Sequence, residues 1–377
     1  MSKLKTYTLF VLFNLKYYFS LAKLWIGKKL GLIRSVMILP YLGFGNEKEI
    51  FFPGRVLKDK RIGLSQSEDN RWSNFKKMYK RFSSWEIPHV RVKAYFNSIS
   101  QIVSTDEEGY FEFNLKLPAP ADVTSPWQEV QLELIDRVVK KQNTVIAVNR
   151  VYIASEYVKF GIISDIDDTI VPTGTARLWE MLKTTFLGNA YTRIPFPGVA
   201  AFYQALSGGV SGNENNPFFY VSSSPWNLYD FLMEFLHIHG IPQGPLMLRD
   251  LGLSREHLIS GSHTEHKLLQ IERILTIIRN MQFILIGDSG QNDPEIYLQV
   301  IRDFPGRVKM IYIRDVDPER SRKLLHILNE IKSLGVEMML VNNTIEATLH
   351  SVSKGWILPG DIKDVAEEKK QDEAGSK

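Results

Sequence analysis

From about Val36 to Ile153 the chain alternates apolar and polar residues with a period of two, the signature of half-buried strands. "HVRVKAYF", "YFEFNLKL" and "EVQLELI" all alternate, and Phe111, Phe113, Leu115 and Leu117 share one face. The polar turn "TDEEG" between "SISQIVS" and "YFEFNLKL" predicts a hairpin. Strands linked by polar turns, with no helix between most of them, predict an antiparallel β-sandwich over 35–156. One stretch departs: "RWSNFKKMYKRF" sets Trp72, Phe75, Tyr79 and Phe82 at helical spacing. It predicts a helix packed on the sandwich, with a membrane contact as the alternative.

After Tyr157 short apolar runs alternate with longer helical patterns. The runs are "KFGIISDID", "PFFYVSSSP", "QFILIGDSG", "VKMIYIRDV" and "VEMMLVNN". Between them "GVAAFYQAL", "WNLYDFLMEFLHIHG", "EHKLLQIERILTIIRNM" and "RSRKLLHILNEIKSLG" predict helices. This alternation predicts an α/β domain over 157–360, a parallel sheet covered on both faces, whose ligands bind at the carboxyl ends of the strands. The tail 361–377 lacks apolar periodicity and is expected to be disordered and charged.

The first 34 residues read differently again. "KTYTLFVLFNLKYYFSLAKLWIGKKLGLI" is apolar, but Lys16 and Lys23 interrupt it before the roughly 20 residues that a spanning helix needs. On a helix Lys16, Ser20 and Lys23 form one stripe opposite a broad apolar face, which predicts a basic amphipathic helix lying in an anionic membrane interface. A helix docked on the core and a signal peptide ending near "FSLA" are the alternatives. Charge sharpens this picture. The net charge is only +4, yet Lys3, Lys5, Lys16, Lys23, Lys28, Lys29 and Arg34 precede the first acid, Glu47. A local basic segment on a nearly neutral chain argues against nucleic-acid binding.

With 377 residues the chain is long enough for two domains, and 44% hydrophobic with 23% charged residues is a globular composition. It has no cysteine, which excludes disulfides, Cys-ligated metal sites and a Cys nucleophile.

The candidate chemistry gathers where the apolar runs end. Four of the five finish in polar residues: Asp165 and Asp167, Ser222, Asp288, and Asp315. In an extended segment Asp165 and Asp167 face one way while Ile166 and Asp168 point elsewhere. Two facing carboxylates force one to keep a proton unless a cation lies between them. Asp288 and Asp293 in "GDSGQND" are further oxygen donors, and a set without cysteine or a clear histidine group favours Mg²⁺ over zinc. A carboxylate can also attack phosphorus, given a metal, a hydroxyl and a cation on the phosphoryl oxygens. The chain offers Asp165, Ser222, Lys267 and Asp288 in turn, with Asp167 placed to move the leaving-group proton. His263 and His266 sit beside Lys267 without further ligands, so helix capping or a substrate-edge role is expected of them. Asp168 is expected to be a structural hydrogen-bonding residue, and Asp315 to end its strand.

D-x-D-x-T, an apolar strand ending in Ser, a Lys opening a helix and G-D-x-x-x-x-D, in that order, resemble the haloacid dehalogenase superfamily of aspartate-nucleophile phosphatases. More closely, "SDIDDTI", "PFPGV", "YVSSSPWNLYDFL", "GPLMLRD", "HKLLQIERIL" and "LIGDSGQNDPEIY" resemble the catalytic domain of actin-patch-protein-type phosphatidate phosphatases, over about Val158 to Val316. "GRVL" and "TDEEGYFEF" are similar to the β-domain that accompanies it. The resemblance implies a Rossmann-like parallel-sheet domain with Asp165 as nucleophile and Asp167 as general acid/base, its main-chain carbonyl also on Mg²⁺. It implies Ser222, Lys267 and Thr169 on the phosphoryl group, Thr169 also capping the turn after the nucleophile, Asp288 on the metal, and Asp293 as a ligand or just behind one.

The segments around the strand ends are too short for a large cap, so an open site for a bulky or surface-bound substrate is expected. "LWEMLKTTFLG" and Trp226 offer an apolar rim, with Arg177, Lys183 or Arg193 in reach of a phosphate; ordinary core packing of Trp179, Leu182 and Phe186 is the alternative. The expected protein is a Mg²⁺-dependent phosphatidate phosphatase in the cytoplasm, held peripherally on a membrane whose phospholipid is its substrate. Action on another phosphomonoester, or a membrane adaptor with a vestigial phosphatase fold, are the competing readings.

Overall fold

The computed structural model describes residues 26, 27, 29, 30, 32–59, 85–118, 120, 125–154, 158–172, 194–249 and 263–375. The expected N-terminal helix up to residue 25, the aromatic and basic stretch 71–82, and the rim segment 177–193 lie outside the described residues. The rest falls into two compact units, one ending at residue 154 and one beginning at 158.

The first unit holds β1 (Val36–Pro40), β2 (Gly43–Gly45), β3 (Glu49–Lys58), β4 (Arg91–Phe96), β5 (Ile99–Ser104), β6 (Tyr110–Lys116), β7 (Trp127–Leu134) and β8 (Ile146–Ile153). These strands form one hydrogen-bonded sheet, ordered β1-β3-β2-β8-β7-β4-β5 with β6 added on β3, not the two sheets of the expected sandwich. The sheet is also not purely antiparallel, because β2 runs parallel to β8. The period-two reading explains its core: Phe52, Val56, Val92, Phe113, Leu115, Leu132 and Val151 all face one apolar cluster. A single sheet whose strands give one face to one core must curl around it.

The expected hairpin is corrected in the same place. Its turn forms, with Asp106 accepting from the backbone N–H groups of Glu108 and Tyr110, but β6 pairs with β3 and β5 pairs with β4. Aromatic packing across β3 and β6 accounts for the choice. Phe52 stacks on Phe113 at 5.0 Å between centroids, and Gly54 makes room for Phe111, whose Cζ lies 2.3 Å from where a Cβ would stand.

The second unit is α/β with an all-parallel six-stranded sheet: β9 (Gly161–Ser164), β10 (Phe218–Pro225), β11 (Leu246–Arg249), β12 (Phe283–Asp288), β13 (Val308–Arg314) and β14 (Met338–Val341). The five apolar runs supply five of the strands; the sixth, β11, is the four-residue "LMLR". Among the described residues the unit's α-helices are α1 (Val199–Gly208), α2 (Tyr229–Ile238), α3 (His263–Ile277), α4 (Asp293–Asp303), α5 (Pro318–Lys323), α6 (Leu325–Ser333), α7 (Thr344–Ser353) and α8 (Asp361–Gly375). α3, α4 and α6 pack together as one layer, and α1, α7 and α8 as another. The strand order β11-β10-β9-β12-β13-β14 reverses between β9 and β12, the crevice where such sheets bind ligands.

The tail is not disordered as expected: α8 covers most of it. Its attachment is largely polar, which is why no apolar period announces it. Val365 is fully buried, while Glu368 and Asp372 accept from the backbone N–H groups of Ala201 (2.6 Å) and Gly198 (3.0 Å). Those N–H groups begin α1, which has no side-chain cap and no acid in its first turn. The two carboxylates of α8 therefore do the capping that α1's own sequence lacks.

Candidate active site

β9 ends at Ser164, the chain stays against β12 through Asp165, and the turn itself begins at Asp168. Ile170 and Val171 both donate backbone N–H groups to the Ile166 carbonyl, and Asp168 donates to Val171. Asp168 adopts φ 57°, a left-handed conformation that Asp tolerates better than most residues. The Asp165 N–H is held by the Ile286 carbonyl of β12 at 2.9 Å. Behind it, the Ser164 hydroxyl donates to the Asp165 carbonyl at 2.7 Å and meets the Tyr203 hydroxyl of α1 at 2.7 Å. Arg314, at the end of β13, donates to the Thr169 carbonyl and lies over the Phe196 ring.

This turn lies against the ends of β10 and β12 and the start of α3. The Lys267 ammonium lies 2.9 Å from Asp165 Oδ1 and 2.7 Å from Asp293 Oδ1. Asp293 Oδ2 accepts from the Asp288 N–H at 3.2 Å, and Gly287 lets it approach, because a Cβ there would stand 2.6 Å from that oxygen. Asp288 Oδ1 accepts from the N–H groups of Gly290 (2.7 Å) and Gln291 (2.9 Å). Asp167 Oδ2 accepts from the hydroxyls of Ser222 (2.9 Å) and Ser224 (3.3 Å), while Ser222 Oγ accepts the Ser224 N–H.

The structure thus brings Asp165, Asp167, Ser222, Lys267, Asp288 and Asp293 into one buried cluster. Thr169 is buried in the same turn. Its hydroxyl is buried without a hydrogen-bond partner, so backbone bonds close the turn that it was expected to cap. Asp315 accepts from Ser321 (2.7 Å) and Ser289 (3.4 Å), a strand-ending role. Two residues escaped the sequence reading. Ser224 is the second donor to Asp167. Gln291 donates through Nε2 to Asp165 Oδ2 (3.2 Å), the Asp167 carbonyl (3.1 Å) and Asp288 Oδ2 (3.1 Å). Its only signal was a polar amide between the two acids of "GDSGQND".

Among the described residues the cluster gathers the buried acids Asp165, Asp167, Asp288 and Asp293 around the buried ammonium of Lys267. Burial outweighs the attraction of Lys267 and, with Asp293, Asp167 and Asp288 nearby, holds Asp165 well above the ordinary carboxylate range. Burial, with Asp293 beside it, pushes Asp288 up to about 7 despite Lys267. Lys267 moves the opposite way from most buried lysines: burial lowers it, but Asp165, Asp293 and Asp288 together hold it above its usual value. Carboxylate oxygens of Asp165, Asp288 and Asp293 lie within 4.8 Å of one another, so this triad could hold a metal ion. The donor set is all oxygen, and the surplus negative charge is what a divalent cation would relieve, so the residues fit a hard cation. Among the described residues this metal-competent cluster contains no histidine.

Residues 160–315 match the family described as Phosphatidate phosphatase APP1, catalytic domain. Phosphatidate phosphatase APP1 of Saccharomyces cerevisiae is 32% identical over 178 residues, covering 46% of this chain and 29% of that protein. An uncharacterized protein of Schizosaccharomyces pombe is 28% identical over 238 residues, covering 60% of this chain and 35% of that protein. The chain therefore spans 29–35% of the length of these curated relatives. Among solved structures, a β-glucuronidase of Parabacteroides merdae covers 76% of this chain and 34% of its own at 12% identity; its TM-score of 0.22 carries no argument.

Proposed function

We propose, from the APP1-type catalytic domain that residues 160–315 form, that this chain is a Mg²⁺-dependent phosphatidate phosphatase of the haloacid dehalogenase type, working through an aspartyl-phosphate on Asp165. The observation that carries the reading is the buried carboxylate of Asp165 at the sheet reversal. It is gripped by Lys267 on one oxygen and Gln291 on the other, two residues before an aspartate held by two serines.

The chemistry follows from these positions. Asp165 attacks phosphorus through a carboxylate oxygen; the Oδ–P bond forms as the ester P–O bond breaks. Asp167, as its carboxylic acid, gives its proton to the departing glycerol oxygen, releasing diacylglycerol. Ser222 and Ser224 fix Asp167 Oδ2, so proton transfer is assigned to Oδ1. Asp167 then takes a proton from water, whose oxygen attacks the same phosphorus. Asp165 departs as carboxylate, inorganic phosphate is released, and Asp167 is again protonated. Lys267 orients Asp165 and offers positive charge beside the phosphoryl oxygens. Asp165, the Asp167 carbonyl and Asp288, with Asp293 behind them, would hold a cation that neutralises phosphoryl charge when bound.

The membrane part of the proposal rests on the basic, acid-free stretch before Glu47, which would hold the enzyme peripherally on an anionic, cytoplasm-facing surface. No helix among the described residues is long and apolar enough to cross a membrane. The test is phosphate release from phosphatidate in mixed micelles, with Mg²⁺ or excess EDTA, for wild type and Asp165→Asn. Release that needs both Mg²⁺ and Asp165 supports the assignment. Cleavage of a generic aryl phosphate without phosphatidate cleavage moves the substrate to another phosphomonoester, and neither activity leaves the adaptor reading.

A further inference from the structure

Among the described residues around the cluster, Gln291 is held in an unusual way. Its amide nitrogen carries two hydrogens, yet it lies 3.1–3.2 Å from three acceptors: Asp165 Oδ2, the Asp167 carbonyl and Asp288 Oδ2. Three oxygens converging on one point outnumber what an amide can satisfy, and its partial charge is small against the acids around it. That oxygen set suits a cation better than a carboxamide, and it is the set that the metal reading assigns to one. The backbone of Gln291 is meanwhile anchored, its N–H donating to Asp288 Oδ1 at 2.9 Å beside the Gly290 N–H at 2.7 Å. The side chain is only half buried and lies between exposed Gly290 and Asn292, so rotation about its own torsions carries the amide toward solvent without moving the loop.

We propose that the Gln291 carboxamide is a cation gate: it competes with the divalent ion for the oxygens of Asp165, Asp167 and Asp288, and the ion binds only as the amide swings out. The inference rests on the metal site proposed above and adds a residue that sets its affinity. While in place, the amide also spaces the acids, and its oxygen faces the Lys267 ammonium at 3.4 Å. Gln291 therefore stabilises the closed cluster and weakens cation binding, two effects of opposite sign.

The sign separates a gate from a merely structural amide. Removing a structural amide loosens the site and weakens the ion; removing a competitor tightens it. Mg²⁺ binding to the full chain, measured by titration calorimetry, should be about tenfold tighter in Gln291→Ala than in wild type, the order expected from one or two displaced hydrogen bonds. Gln291→Met, of similar length but without a donor, should show the same direction and guards against a folding defect in the alanine variant. In thermal melts with EDTA both variants should unfold at lower temperature than wild type, and added Mg²⁺ should raise their melting temperature by more. Mg²⁺ binding that is equal or weaker in both variants, while wild type still binds Mg²⁺ in an Asp288-dependent way, overturns the gate and leaves the metal site standing. No Asp288-dependent Mg²⁺ binding in any variant overturns both.

Discussion

The two units bury charge by opposite rules. In the curled sheet the buried charges are locally balanced: Arg55 lies 3.5 Å from Glu86 and over the Tyr110 ring, and Glu49 pairs with Lys116. Among the described residues at the edge of the parallel sheet, Asp165, Asp167, Asp168, Asp288 and Asp293 are all buried, with the buried Lys267 ammonium beside Asp165 and Asp293. Stability alone disfavours gathering so many buried acids, since taking each charge out of water costs several kcal/mol. Such a cluster marks a candidate site for chemistry. The lesson is that balance marks a part built to hold together and imbalance a part built to react, which makes stability and activity separable by mutation.

The sharpest contrast comes from Asp165→Asn. It should reduce phosphate release to background, because an amide cannot form the phosphoenzyme. In EDTA it should leave the melting temperature little changed, because burial already disfavours the charged form of Asp165 and Asp293 keeps Lys267 paired at 2.7 Å. Loss of stability together with activity would break the comparison. Asp167→Asn should follow, slowing turnover on a poor leaving group by about 10²–10⁴-fold, the usual worth of general acid/base catalysis, as read in single-turnover kinetics.

The curled sheet should behave in reverse. Phe113→Ala removes a fully buried ring stacked on Phe52 and should destabilise the first unit by about 3–5 kcal/mol in urea unfolding. Per folded molecule, cleavage of a soluble aryl phosphate should persist.

The dependence on pH sharpens the account of the acidic edge. Asp288 is raised from 3.8 to about 7 and Asp165 moves in the same direction, so the folded chain binds protons that the unfolded chain releases. Stability from these groups is complete below pH 3.8 and is lost as the pH rises through about 7. In EDTA the melting temperature of wild type should therefore fall between pH 5 and 8 relative to Asp288→Asn, and the gain from added Mg²⁺ should grow over that interval. The smallest effect belongs to the tail: Glu368→Ala with Asp372→Ala uncaps α1 and should cost about 0.5–2 kcal/mol in thermal unfolding, with KM unchanged.

Much of this was legible in the sequence, for reasons that differ by region. Phe111, Phe113 and Leu115 announced a half-buried strand because periodicity is local, but the partner of that strand is set by distant packing against Phe52 and Gly54, which no local pattern carries. The acids, Ser222 and Lys267 stood out because each follows an apolar run or opens a helix. The aim of Asp165 and Asp167 was read from strand alternation, and the Asp165 bond to Ile286 extends that ladder before a left-handed Asp168 turns the chain. Gln291 and Ser224 are ordinary loop and strand residues until the fold sets them against carboxylates. The helical tail stayed hidden because Glu368 and Asp372 hold it through backbone hydrogen bonds rather than an apolar stripe.

The central claim is that the buried carboxylates at the sheet reversal are a cation-tempered nucleophile site, and trapping the intermediate tests it most directly. Wild-type protein incubated briefly with phosphatidate labelled at phosphorus, with Mg²⁺ or EDTA, would be quenched in acid and mapped by mass spectrometry. The account predicts a hydroxylamine-labile phosphoryl group on Asp165 that needs Mg²⁺ and is absent from Asp165→Asn. Label on another residue, or turnover of phosphatidate by Asp165→Asn, would contradict it.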